Sequence, residues 1–226
     1  MTLNRELIWM CKMLTEHGVK FWIDSGTLLG LAREGGIMED DHDIDLSMWS
    51  DSEPLLEEII PEVENSGYRV SIRNYRGLNF KYKFMPSFKE SSLDIDISLF
   101  RREGDYAWCP QVYCMPYPIS RRNPAYYLYA LPRKAIQEIF IRKRRVVVNL
   151  WPWSLSYKFY TVLIPKIFFE EPIWLRDGIP APKAYREYLT YRYGNWKIPR
   201  KDWFFINDDG AIKHDSPEAV IEKIKR

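Results

Sequence analysis

Two short stretches repeat one unusual alternation: "DIDLSMW" at 43–49 and "SLDIDISLF" at 92–100. Acid and aliphatic residues exchange with a period of two, which is a strand pattern. On a strand Asp43 and Asp45 point the same way, about 7 Å apart, and so do Asp94 and Asp96. The interleaved Ile44, Leu46, Ile95 and Ile97 demand a core on the opposite face. Carboxylates on inner strands are costly to leave unpaired. The chain must therefore bring both acid faces to a common place and supply positive charge there.

The elements before and between these strands limit the fold further. Leu3, Leu7, Met10, Cys11 and Leu14 recur at helical spacing, with Gly18 as a stop. "VKFWIDSG" (19–26) reads as a buried strand entering a tight turn, and "TLLGLAREGG" (27–36) as a short helix with Thr27 as cap. A helix opening at Ser52–Pro54 runs to about Gly67, with Pro61 as a kink or early stop. Strands are expected at 68–74 and at 79–85, where Phe80, Tyr82 and Phe84 face away from Lys81 and Lys83. The order α-β-α-β-α-β-β-β predicts an α+β fold, a small mixed sheet with helices on one side, unlike a βαβ repeat.

Beyond residue 105 the pattern weakens and the composition shifts, which divides the chain into a core at 1–104 and a part at 105–226 that completes one compact unit. "YAWCPQVYCMPYPISRRNP" (106–124) suggests a loop or edge hairpin, "RKAIQEIFIRKRRVVV" (133–148) a helix with a basic end, and "KAYREYLTYRYG" (183–194) a last amphipathic helix stopped by Gly194.

Composition excludes several classes. A net charge of +2 over 226 residues gives no bias toward nucleic acid. Three cysteines, Cys11, Cys109 and Cys114, make no disulfide framework, and the C-x4-C pair lacks the second pair a zinc site needs. Charged residues interrupt the first 20 positions, and no run of about 18 apolar residues occurs, so neither a signal peptide nor a spanning helix is expected. "RKRR" (142–145) beside "LWPWSLSYKFY" suggests peripheral contact with a membrane face from the cytoplasm.

The chemistry follows from the acids and the turn. Two D-I-D strands facing one another offer the hard oxygen ligands that Mg²⁺ prefers. Ser25, Gly26 and Thr27 stand between a strand and a helix N-terminus, where backbone N–H groups and the dipole favour phosphate, and Gly26 permits close approach. Arg33, Lys81 and Lys83 are candidate phosphate partners, whereas Tyr193, Trp196 and Pro199 either frame an acceptor or base pocket or simply pack.

An "SG" turn before a helix, D-h-D on a strand and a third Asp on a neighbouring strand resemble the nucleotidyltransferase fold of polymerase-β type. More narrowly, "WIDSGTLLGLAREGGIMEDDHDIDLSM" and "IPAPKAYREYLTYRYGNWKIP" (179–199) resemble the LicD/fukutin family of phosphotransferases. Asp24, Gly26, Thr27, Arg33, Asp43 and Asp45 fall on that family's motif, Asp96 stands as the third carboxylate, and Asp94 is its alternate. Ser25 departs from the Gly common in bacterial members, and His42 interrupts the acidic run. The resemblance implies transfer of a phospho-alcohol, such as phosphocholine or ribitol phosphate, from a CDP-linked donor to a glycan or glycolipid hydroxyl, with release of CMP. It implies Mg²⁺ or Mn²⁺ at Asp43, Asp45 and Asp96, with Asp96 also taking the acceptor's proton, phosphates held by Ser25, Gly26 and Thr27, and Asp24 orienting the turn. Two alternatives stay open: transfer of NMP to a small molecule or protein, and a non-catalytic nucleotide-binding module.

Overall fold

The two D-I-D segments lie side by side. The computed structural model describes residues 4–87, 93–114, 145–150, 157–175 and 178–226, with 113–114, 145–150 and 157–158 as backbone. After helix α1 (Arg5–Glu16) and strand β1 (Phe21–Ile23) come α2 (Ser25–Glu34), β2 (Asp43–Trp49), α3 (Glu53–Asn65), β3 (Tyr68–Tyr75), β4 (Leu78–Pro86) and β5 (Asp94–Glu103). β2 and β5 run parallel, and their register sets Asp43 opposite Asp94 and Asp45 opposite Asp96. Because side chains alternate faces, this single register puts all four acids on one face and Ile44, Leu46, Ile95 and Ile97 in the core.

β5 is the strand on which everything turns. Its first half is flanked by β2 and, on the other side, by antiparallel β4, which carries Lys83 opposite Asp96 and Lys81 opposite Ser98. β4 pairs with β3, and β3 with parallel β7 (Arg145–Leu150). The far end of β5 turns at Gly104 into β6 (Tyr106–Cys114), which continues through β8 (Tyr157–Pro165) to β11 (Ile212–Lys213). A short hairpin of β9 (Pro172–Trp174) and β10 (Pro180–Pro182) precedes helices α4 (Tyr185–Tyr193), α5 (Phe205–Asp208) and α6 (Pro217–Lys225).

The core is continuous. Leu7, Met10 and Leu14 of α1 and Leu56, Ile59, Ile60 and Val63 of α3 join Phe80, Tyr82 and Phe84 of β4 in one buried cluster. Each such side chain contributes roughly 1.5–3 kcal/mol when fully buried. Asn4 caps α1 by accepting from the amides of Glu6 and Leu7 at 2.8 and 3.1 Å, and Trp9 of α1 stacks on Tyr68 of β3.

Several local expectations are revised. α2 begins at Ser25 with Asp24 as its cap, three residues before the Thr27 cap expected. Pro61 does not stop α3, which continues through it to Asn65. Residues 106–114 are a strand held on both edges, by β5 and β8, where a loop or edge hairpin was expected. Arg145–Leu150 is a strand beside β3, where the end of a helix was expected; the β-branched run Val146–Val148 favours extended backbone. The rest of that expected helix, and most of the basic run 142–145, lie outside the described residues. Among the described residues no helix is long and apolar enough to cross a membrane.

Candidate active site

The strand–turn–helix at 21–34 is locked to β2. The Asp24 amide donates to the Asp45 carbonyl at 3.0 Å, and the Asp45 amide donates to Thr27 Oγ1 at 2.8 Å. Between them Ser25 adopts φ +46°, a left-handed conformation costly for a residue with a Cβ. Gly26 follows with its amide on Asp45 Oδ2 at 3.2 Å, and a Cβ there would meet Asp41 Oδ2 at 2.6 Å. The first two amides of α2 are thus used by Asp24 and Asp45.

Below this turn Asp43, Asp45 and Asp96 each present a carboxylate oxygen within 4.8 Å of the others. Lys81 Nζ lies 2.8 Å from Asp96 Oδ2, while Lys83 Nζ bridges Asp94 Oδ2 at 2.8 Å and Asp96 Oδ1 at 3.2 Å. Burial works against ionisation of Asp96, but Lys81 and Lys83 outweigh it and hold its pKa at about 2. Asp45 fares differently: burial pushes it up to about 8, and Asp43, Asp96 and Asp24 add to that against the pull of Lys81. Asp41, at the rim, is raised to about 6 by burial and then by Asp43.

These residues fit a divalent cation. The donor set is three hard carboxylate oxygens within 4.8 Å of one another, with Asp96 buried among them. Burial is the main cause of the raised pKa of Asp45, and Asp43, Asp96 and Asp24 add a repulsion that a further positive charge would relieve. Asp94 lies outside the triad, more exposed and paired with Lys83.

Behind the turn stands a buried ionic lock. Asp24, 3% exposed, accepts from the Ser25 amide, Tyr188 Oη, Arg192 Nη1 and, through Oδ2, Ser47 Oγ. Arg192 also donates to Ser25 Oγ at 2.8 Å and reaches Asp209 through Nε at 3.0 Å and Nη2 at 2.5 Å. With its oxygens so occupied, Asp24 holds the turn in place and has little to offer a ligand. Sequence reasoning missed Arg192, Asp209 and Tyr188. Their one sequence signal is the i, i+4 spacing of Tyr188 and Arg192, which shares a helix face.

The acids open into a cleft of about 280 Å³ that Ser25, Lys81 and Arg192 also line, with Tyr193, Trp203 and Phe205 on its walls. Arg33 is not part of it. Eight residues along α2 from Ser25, about 12 Å, it pairs with Glu34 and touches the Trp196 carbonyl at 3.4 Å. Trp196 is buried and donates to Thr190 Oγ1, and Pro199 is exposed; neither lines the cleft. The buried Cys109 thiol is pushed up to about 12 by burial, which disfavours a thiolate ligand there; the Cys114 side chain lies outside the described residues.

A strand–turn–helix set against two parallel Asp-bearing strands defines a nucleotidyltransferase-type domain with an acidic, metal-competent centre. Residues 18–131 match the model of the LicD/FKTN/FKRP nucleotidyltransferase domain, half of the chain, and the protein belongs to that family. It is 43% identical over 60 residues to the uncharacterized protein RP689 of Rickettsia prowazekii (strain Madrid E), covering 26% of this chain and 23% of that one. It is 39% identical over 59 residues to RT0683 of Rickettsia typhi (strain ATCC VR-144 / Wilmington), covering 26% and 19%. The match thus spans less than a quarter of the length of either relative. The crystal structure of ANT(2")-Ia in complex with adenylyl-2"-tobramycin superposes with a TM-score of 0.33 at 19% identity, over 46% of this chain and 55% of that one.

Proposed function

We propose that this protein transfers a phospho-alcohol from a CDP-linked donor to a hydroxyl of a cell-surface glycan or glycolipid, releasing CMP. The observation that carries the reading is the in-register β2–β5 pairing, which gathers Asp43, Asp45 and Asp96 under the Ser25 turn. Held by those three carboxylates, Mg²⁺ or Mn²⁺ supplies the charge that a diphosphate requires. Lys81 and Ser25 Oγ line the same cleft and face the donor's phosphates. The acceptor oxygen forms a bond to phosphorus as the bond from phosphorus to the CMP oxygen breaks, and the hydroxyl proton leaves to Asp43 or Asp45. Asp96, held at about 2 by Lys81 and Lys83, is a weak base and holds positive charge instead. Arg192 and Asp24 keep the turn in its left-handed shape throughout.

The test is product analysis. Purified protein is incubated with CDP-choline or CDP-ribitol, Mg²⁺ and glycan acceptors, beside an Asp43→Asn/Asp45→Asn variant. Mg²⁺-dependent CMP formation that the variant lacks supports the reading. Pyrophosphate released from a nucleoside triphosphate instead assigns NMP transfer, and turnover of neither donor type assigns a binding module.

A further inference from the structure

Between two tryptophans every residue from Lys197 to Asp202 is exposed. Trp196 is buried, and the Trp203 ring packs 5.0 Å from that of Tyr193. The Trp196 carbonyl accepts from Arg33 at 3.4 Å and its Nε1 donates to Thr190 Oγ1 at 3.3 Å, which pins the near end of the loop to α2 and α4. Between these anchors Ile198 stands 62% exposed, beside exposed Pro199. Lys197, Arg200 and Lys201 surround it, and Asp202 is the loop's one acid. Arg200 is committed to Asp202 and Asp208, each at 3.4 Å. Lys197 and Lys201 have no carboxylate within ion-pair distance among the described residues.

We infer that this loop docks the protein on an anionic lipid bilayer, with Ile198 and Pro199 in the interface and Lys197 and Lys201 at the lipid phosphates. A polyanion such as a nucleic acid would meet the lysines but leave Ile198 in water. A bilayer meets both, because interfacial binding adds apolar burial to attraction for anionic headgroups. Lysine stems lie along the apolar zone while their ammonium groups stay at its polar edge. Each cation brought to such a surface tightens binding about fivefold. The loop's place in the fold gives this contact a consequence. Trp203, which closes the loop, lines the acidic cleft, and Lys201 stands within about 7 Å of it along the chain. A docked loop holds the cleft beside the headgroup layer, where a hydroxyl carried on a lipid is presented. The inference goes beyond the donor reading and stands independently of it.

The test is cosedimentation of the full chain with vesicles, without donor or acceptor. One set is phosphatidylcholine alone and the other phosphatidylcholine mixed with phosphatidylserine. The wild type is expected to bind the mixed vesicles, and less tightly at about 1 M than at about 0.1 M salt, as the screening length shrinks from about 10 to about 3 Å. Ile198→Ser weakens that binding about tenfold, the scale of one apolar side chain taken from water. Lys197→Gln/Lys201→Gln weakens it about twenty-five-fold, two cations at about fivefold each. Both loop variants melt with the wild type, because every substituted side chain is exposed. Arg142→Gln/Lys143→Gln/Arg144→Gln, in the basic run of the sequence, binds as the wild type does. Equal binding to the two kinds of vesicle overturns the inference, and so do loop variants that bind like the wild type. Loss confined to the basic-run variant overturns it and moves the contact there. If the wild type sediments with neither vesicle, the inference falls and the loop is left to a protein partner. None of these outcomes bears on the donor reading, which CMP release tests separately.

Discussion

Arg192 Nη1 lies 2.8 Å from Ser25 Oγ across 167 residues of chain. This bond joins the fourth helix to the one strained turn of the cleft, and Asp209 fixes the other side of the same guanidinium. Arg192→Met leaves Asp24 and Asp209 buried without their cation. We expect a loss of roughly 3–5 kcal/mol, typical of breaking a buried pair from one side, measured by urea unfolding. Adding Asp209→Asn to that variant costs less than the separate effects summed. A variant as stable as wild type would remove the lock from this account.

Stability without metal falls as pH rises. Asp45 is raised to about 8 and Asp41 to about 6, each chiefly by burial. A raised carboxylate keeps its proton in the folded state after the unfolded chain has lost it. Its contribution is therefore complete below about pH 4 and is lost as pH rises through the folded value. Asp96, held near 2, acts in the opposite sense and only below about pH 4. In EDTA the unfolding free energy from urea titrations should decline from pH 5 to pH 8, by at most about 1.4 kcal/mol per pH unit for each group. Asp45→Asn flattens the decline and saturating Mg²⁺ does the same; equal slopes in wild type and variant would exclude Asp45 as the source.

Lys81 does part of a metal ion's work. Its ammonium, 13% exposed, neutralises Asp96 at 2.8 Å. Lys81→Gln should lower metal-free stability by about 3 kcal/mol, while the stabilisation gained from Mg²⁺ becomes larger than in wild type because the ion now meets an uncompensated carboxylate. Melting temperatures with and without Mg²⁺ decide this. A smaller Mg²⁺ shift in the variant would mean that Lys81 supports the ion rather than competing with it.

Arg33 falls on the family motif, yet in the fold it braces Glu34 and the Trp196 carbonyl. Arg33→Ala should leave Mg²⁺ and CMP binding within about twofold of wild type and cost about 1 kcal/mol of stability, the usual worth of such a contact. Loss of nucleotide binding with stability unchanged would return Arg33 to the site.

The triad could be read in advance because strand periodicity is local: once 43–49 and 94–100 are strands, their acids share a face and their aliphatics the core. The same logic placed Lys81 and Lys83 opposite the buried aromatics of β4, though not beside the acids, since that depends on which strand β4 pairs with. Arg192 and Asp209 were not legible. Their importance lies in meeting Asp24 from 168 residues away, and no local pattern encodes such a meeting. Trp203 escaped notice for a like reason, because it sits in an irregular stretch whose only tie to the cleft is tertiary. The strand at 145–150 was obscured by the charged helical pattern before it, which outweighed three consecutive valines.

The distance spanned by that lock also sets a clock. On a ribosome adding about 5–20 residues per second, Arg192 emerges roughly 10–30 s after Asp24. Until then the nascent chain has β1, α2 and β2 and, once β5 has emerged, all three acids of the triad, but not the arginine that braces the turn. Competence for chemistry therefore arrives late in synthesis, and a ribosome stalled before α4 holds a domain with its carboxylates assembled and its turn still loose.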